Sequence, residues 1–256
     1  MKAKKALMFV AKIFGVTLFW FAVWAFISFK VKSKLLFPAP LDVLKALGEL
    51  SVNAEFWIIS AHSLLRVVSG ILISVVIGSV LAVITEMSSI IRAILSPALG
   101  IIKATPVASF IILALLWIDS NTLPLYITAL IVVPIVWSNV SEGIRSVDRE
   151  LVEVSRIYRF SPAKKATKLY VPSVAPFFMA ACKSSLGMAW KAGISAEVLS
   201  TPKYAIGTML YFSKTYFETP TLFAWSAVII ILSIIIEKLF VWGLSFLGKR
   251  FRTERR

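Results

Sequence analysis

Cysteine and histidine are almost missing from this sequence. One of each occurs in 256 residues, Cys182 and His62. A lone cysteine excludes a disulfide framework within the chain, and a lone histidine excludes a Cys/His metal cluster. Cys182 lies inside an apolar run and is expected as a small packed residue. No constellation of nucleophile, acid and base can be assembled either, so no catalytic residue is expected and a membrane-embedded enzyme is disfavoured. A G-x-x-x-x-G-K-[S/T] run is also lacking, so the chain has no phosphate loop with which to hydrolyse ATP. Internal repeats and low-complexity segments are absent by inspection. Acidic side chains are scarce, with 13 Asp and Glu against 28 Lys and Arg and a formal net charge of +15.

What is present is apolar. The chain is 59% hydrophobic with a mean hydropathy of +0.86, where a soluble domain is about half apolar. The basic residues sit between apolar runs and do not form a face on a polar domain. That pattern points to membrane topology and anionic headgroups, not to nucleic acid.

A bilayer core of about 30 Å needs about 20 apolar residues in a helix. Six runs qualify: about 8–29, 64–85, 93–118, 122–140, 172–190 and 222–247. The expected fold is therefore an all-α membrane protein with about six transmembrane helices. The first run is too long for a signal-peptide core and no small-x-small site follows it, which predicts a retained helix. The third is interrupted by Pro97, Lys103 and Pro106. With the N-terminus inside, 17 Lys and Arg fall on the cytoplasmic side, including Lys2, Lys4, Lys5, Arg92 and the tail after Gly248; seven fall outside, Lys30, Lys32, Lys34, Lys45, Lys191, Lys203 and Lys214. Both termini are then cytoplasmic, although Lys30, Lys32 and Lys34 oppose this locally.

Two segments predict packing. Gly70, Ser74, Gly78 and Ala82 recur every four residues, a small-residue stripe that lets another helix approach closely. Leu41, Leu44, Leu47 and Leu50 recur at helical spacing and predict a short amphipathic helix at the outer interface.

The basic block Arg156, Arg159, Lys164, Lys165 and Lys168 lies between the fourth and fifth runs. Asp148 is placed to cap a short helix with Glu150 in its first turn. Leu151, Val154, Ser155 and Tyr158 fall on one face of it. Ser161-Pro162 then starts a second helix that runs to Val171-Pro172. Patterning alone leaves two readings open: a loop touching lipid headgroups, or an element that docks into a cytoplasmic partner.

This stretch resembles the cytoplasmic "EAA" loop of ATP-binding-cassette importer permeases, whose pattern is Glu-Ala-Ala, three residues, Gly, nine residues, then Ile-x-Leu-Pro. Here Glu153-Val154-Ser155 and Leu169-Tyr170-Val171-Pro172 stand at that spacing. Val154 and Ser155 replace the alanines, and Arg159 stands where the family has Gly. If that turn needs a positive φ, a non-Gly residue costs about 1–2 kcal/mol. LFPAPLDVLKAL at 36–47, SLLRVVSG at 63–70, ATPVASFIILALLWI at 104–118 and AWKAGISAEVLSTPKYAIGTML at 189–210 are also similar to permeases of the nitrate/sulfonate/taurine branch.

The resemblance implies a permease fold divided into an N-terminal helix with outer amphipathic segment, 1–62, and a core, 63–256, that carries the coupling loop 141–171. It implies a homodimer of permeases in the inner membrane, two cytoplasmic ATP-binding subunits that hold the ATP, and an extracytoplasmic solute-binding protein. Glu153 would orient the first short helix against the ATPase, and Leu151, Val154 and Tyr158 would be buried there. Ser155, Arg159, Leu169 and Pro172 complete the coupling element. The cargo would be a small anion (sulfonate, taurine or nitrate), with a thiamine- or riboflavin-related compound as the alternative. A secondary transporter driven by an ion gradient would call for repeats or paired broken helices, and only one strongly broken helix is seen. Charges inside spans are functional candidates, so Lys103 and Lys183 are expected to line the solute path. Arg66, Lys191 and Glu197 are expected near the outer boundary, and Trp190 as an interface anchor.

Overall fold

The computed structural model describes residues 2–33 and 35–253. The charges expected at Lys34, Arg255 and Arg256 lie outside the described residues, as do the side chains of Lys2, Lys4, Lys5, Lys249, Arg250 and Arg252. The described residues form helices α1 (Lys2–Val31), α2 (Pro40–Val52), α3 (Ala54–Met87), α4 (Ser89–Ala104), α5 (Val107–Ala114), α6 (Leu123–Arg145), α7 (Arg149–Ile157) and α8 (Pro162–Lys165). A π turn (Ala166–Tyr170), α9 (Val171–Ser200), α10 (Ile206–Thr215) and α11 (Thr219–Thr253) follow.

Among the described residues, four helices carry stretches long and apolar enough to cross a membrane: Phe14–Val31 of α1, α3, α6 and Thr219–Gly243 of α11. α4 and α5 taken together are also long and apolar enough, but they bend by 104°. Pro97 sits inside α4 without ending it, so the break belongs to Thr105-Pro106. Thr105 is extended, with ψ of 135°, because a residue before proline is pushed out of the α region.

The small-residue stripe fixes the topology. A methyl group on Gly70 would lie 2.9 Å from the Thr128 Cβ, and one on Gly78 would lie 2.8 Å from the Val136 Cβ. Ser74 and Ala82 of the same stripe are fully buried. α3 and α6 therefore touch along their length and run parallel. Leu123, at the start of α6, is about level with Leu65. The chain between α3 and α6 must then climb back by about 22 residues of helix rise, roughly 33 Å, one bilayer core. The bent pair makes that return and is a broken span. α9 runs antiparallel to α6, since Gly143 meets Val174 and Phe177 at one end while Gly193 meets Thr128 at the other. It lies alongside α6 from end to end, although its polar residues keep it from being apolar enough to count among the candidate spans.

α11 begins where α3 begins, with the rings of Phe56 and Trp225 5.1 Å apart. The C-terminal end of α1 is held at the same level. Trp24 donates its indole N–H to the Pro38 carbonyl at 3.0 Å and packs near Phe37 and Phe223. Loop 146–170 emerges at the opposite face of the bundle, toward which α11 runs. The amphipathic helix at 40–52 forms as expected, but its packed face is Pro40, Val43, Leu47 and Leu50, while Leu41 and Leu44 are exposed. The boundary expected at 62/63 falls inside α3, which is continuous there. Trp190 is no interface anchor: it is buried among core residues and donates to the Ile229 carbonyl at 3.2 Å. Cys182 is buried in α9.

Candidate functional site

The basic loop is a hairpin of two helical pieces on a rigid base. Asp148 accepts the Glu150 amide at 2.9 Å through Oδ1, which caps α7. Ser161 accepts the Lys164 amide at 3.3 Å and caps α8, with Pro162 in the first turn. Both caps were legible from residue type. At the base, a methyl group on Gly143 would lie 3.1 Å from the Val174 Cα and the Phe177 Cβ. The two stems of the hairpin, the end of α6 and the start of α9, are thus in backbone contact.

The turn between α7 and α8 resolves the question of Arg159. Its φ is 47°. Arg159 donates its amide to the Arg156 carbonyl at 3.0 Å, and Phe160 donates to the Ser155 carbonyl at 2.9 Å. This is a Schellman C-cap with arginine in the left-handed position. The sequence therefore keeps the turn that the glycine pattern implies and bears the strain of a Cβ there.

α7 presents a one-sided surface. Val152 and Ser155 face the body of the protein; Ser155 is buried and its hydroxyl donates to the Val152 carbonyl at 2.6 Å. Leu151, Val154 and Tyr158 are exposed, as is Ile157, which is 76% exposed and which the sequence reading missed. Ile157 borders the stripe, three residues after Val154, so the i, i+3 spacing could have found it. Ser155, expected on the docking face, instead secures the helix from behind. Glu153 is exposed beside the stripe and meets no partner among the described residues. Leu169 is buried and Pro172 half-buried at the root of α9.

The second piece does not end at Val171-Pro172. It passes through the π turn, in which Val171 donates its amide to the carbonyl of Ala166, five residues back, and continues as α9. The second piece of the hairpin and α9 are therefore one unbroken rod.

Beside this base, Glu86 at the end of α3 binds two arginines. Arg145 of α6 reaches its two carboxylate oxygens at 3.0 and 3.2 Å, and Arg92 of α4 pairs with the same group. At the opposite face lies a second network. Glu197 of α9 is fully buried. Its carboxylate accepts from the Ser63 hydroxyl at 2.8 Å, the Gly207 amide at 3.1 Å and Arg66 at 3.4 Å. Ser63 also accepts the Ile206 amide at 2.9 Å, while Arg66 donates to the carbonyls of Lys203 at 2.5 Å and Tyr204 at 3.2 Å. This network seats the hairpin of residues 201–207 on the head of α3. Sequence reading placed Arg66 and Glu197 at this face but could not pair residues 131 positions apart.

Lys103 and Lys183 are not brought together. Lys103 stands 5.8 Å from the centre of the Trp137 ring, against α6. Lys183 lies on an exposed face of α9. Lys191, expected at the outer boundary, shares that face two turns further along.

The description "binding-protein-dependent transport system inner membrane component" matches residues 74–253, more than half of the chain. A putative aliphatic sulfonates transport permease protein, SsuC of Bacillus subtilis, is 25% identical over 205 residues, 79% of this chain and 74% of that protein. The taurine transport system permease protein TauC of Escherichia coli is 23% identical over 221 residues, 84% of this chain and 80% of that protein. A crystal structure of an amino acid ABC transporter with histidines has the same fold, with a TM-score of 0.58 and 20% identity over 73% of this chain and 90% of that one. The chain thus belongs to the family of binding-protein-dependent inner membrane components: it is a multi-pass permease subunit of an ATP-binding-cassette transport system that includes an ATPase and a binding protein.

Proposed function

We propose that this permease imports a small anion, of the sulfonate or taurine kind, and that the stripe Leu151, Val154, Ile157 and Tyr158 on α7 docks into a groove of the cytoplasmic ATPase. The observation that carries this reading is the exposed apolar stripe on a capped helix, joined through α8 and the π turn to α9. Solvent-exposed apolar residues in such a row suit a helix-in-groove contact. Glu153, exposed next to the row, orients the helix by polar contacts with the ATPase. Arg159 and Ser155 hold its shape, and Leu169 and Pro172 transmit its displacement into α9. The functional assembly is a two-fold homodimer with two ATPases and a solute-binding protein on the outer face. Loop 146–170 and both termini are cytoplasmic. ATP, bound by the ATPases, shifts the pathway between outward and inward access because the two states hold it with different affinity. Lys103 and Lys183 attract the anion along the way.

Glu153→Lys tests the docking. In the reconstituted complex, ATP hydrolysis should continue while solute imported per ATP falls by at least about tenfold. Import at the wild-type ratio would refute the assignment.

A further inference from the structure

α3 and α9 each keep one exposed face along the bundle, and the two faces differ in chemistry. On α3 it is apolar: Leu65, Leu72, Ile73, Val76, Val80 and Val83. On α9 it is Lys183, Ser184, Gly187, Met188, Lys191 and Ser195. The reverse side of α9 is deeply packed, with Ala181, Cys182, Ser185, Leu186, Ala189 and Trp190 all buried. The polar face therefore belongs to a central helix and is not the fringe of a loose one.

Its depth follows from the helix contacts. Gly193 meets Thr128, which meets Gly70, and Val136 meets Gly78. Lys191 and Lys183 are then about level with Leu72 and Val80. The charge-free part of α3, between Arg66 and Glu86, centres near Val76. Both lysines thus lie about 6 Å from the middle of the bilayer, one on each side, and about 9 Å from the nearer headgroups. A lysine stem of about 6 Å does not cover that distance. Among the described residues the ion pairs involve Arg66, Arg92 and Arg145, and no carboxylate meets either lysine. Two such ammonium groups facing hydrocarbon would be costly.

We propose that this face of α9 borders a water-filled conduit and that Lys183 and Lys191, about 12 Å apart along it, are successive stations for a small oxyanion such as a sulfonate. This deepens the import reading above, on which it rests for the cargo, by adding Lys191 and the small residues between the stations. Each ammonium is a single point charge, strong enough to draw an oxyanion in and weak enough to release it to the next. Gly187 leaves the interval open: a methyl group there would have no neighbour within 4 Å.

The test is charge-selective thiol labelling of the full-length chain in membrane vesicles. Cys182→Ala removes the native thiol and Gly187→Cys places one between the stations. An anionic ethylsulfonate methanethiosulfonate should react about tenfold faster than a cationic trimethylammonium one, after normalisation to a free thiol. Lys183→Gln with Lys191→Gln should bring the ratio to about one. Ser184→Cys, on the same face, gives the same readout if the first variant folds poorly. No reaction with either reagent, or a ratio indifferent to the lysines, overturns the proposal. Selective labelling without ATP-dependent uptake of sulfonate supports the conduit and rejects the import reading.

Discussion

Replacing Glu197 by alanine should release the 201–207 hairpin from the head of α3. The carboxylate is fully buried and holds the Ser63 hydroxyl, the Gly207 amide and Arg66 at once. Its loss leaves the Gly207 donor unmet and Arg66, whose side chain is only 16% exposed, without a counter-charge. Breaking a buried pair of this kind costs about 3–5 kcal/mol. The balance between seated and released hairpin then moves by roughly 150- to 5,000-fold. Arg66→Ala should be comparably severe, because it strands the carboxylate. The double variant should be milder than the sum of the two, since each partner's stranding cost appears only while the other remains. Thermal unfolding of detergent-purified protein would show the loss as roughly 6–20 °C in Tm, and proteolysis within residues 201–206 would accelerate in membranes. A Glu197→Ala protein with unchanged Tm and unchanged protection of this hairpin would refute the reasoning. Gly207→Ala probes the same seat from the other side, because a methyl group there would stand 2.5 Å from the Val198 nitrogen.

Gly78→Leu should separate α3 from α6 and destabilise the protein by about 1–3 kcal/mol or more, since even the first carbon would sit 2.9 Å from the Val133 carbonyl oxygen. Gly100→Ala, with no neighbour within 4 Å of its new carbon, should instead gain about 0.5–1 kcal/mol, and a paired melting comparison separates the two. Arg159→Gly relieves the left-handed turn and should stabilise it by up to about 1 kcal/mol, read as severalfold slower exchange of the Phe160 amide proton. Glu86→Ala frees Arg92 and Arg145 together. Single alanine changes at either arginine should therefore perturb Tm less than the loss of the shared carboxylate does.

The parts of this structure that were legible in the sequence are those fixed by neighbours along the chain. The caps at Asp148 and Ser161, the stripe from Gly70 to Ala82 and the apolar runs of α1, α3, α6 and α11 are all local patterns, and each appears where expected. The parts that were not legible depend on contacts distant in sequence. Ser155 looked like part of an outward face because its neighbours in helical phase point outward; only packing against the body turns it in. Nothing near Glu197 announces Ser63 or Arg66. Pro97 and Pro106 looked alike as breakers, yet Pro97 is held within α4 and Pro106 ends it. The depth of Lys191 could be read only after α9 was set against α6 and α3.

The π turn at 166–170 holds one residue more than an α-helical turn would. Relative to a continuous α-helix of the same residues, that surplus residue rotates everything on its α8 side by about 100° around the axis of α9. The compass bearing on which α7 leaves the bundle is therefore set by a count, independent of side-chain chemistry. A chain shorter by one residue here would lose both this turn and the nine-residue interval between Arg159 and Leu169.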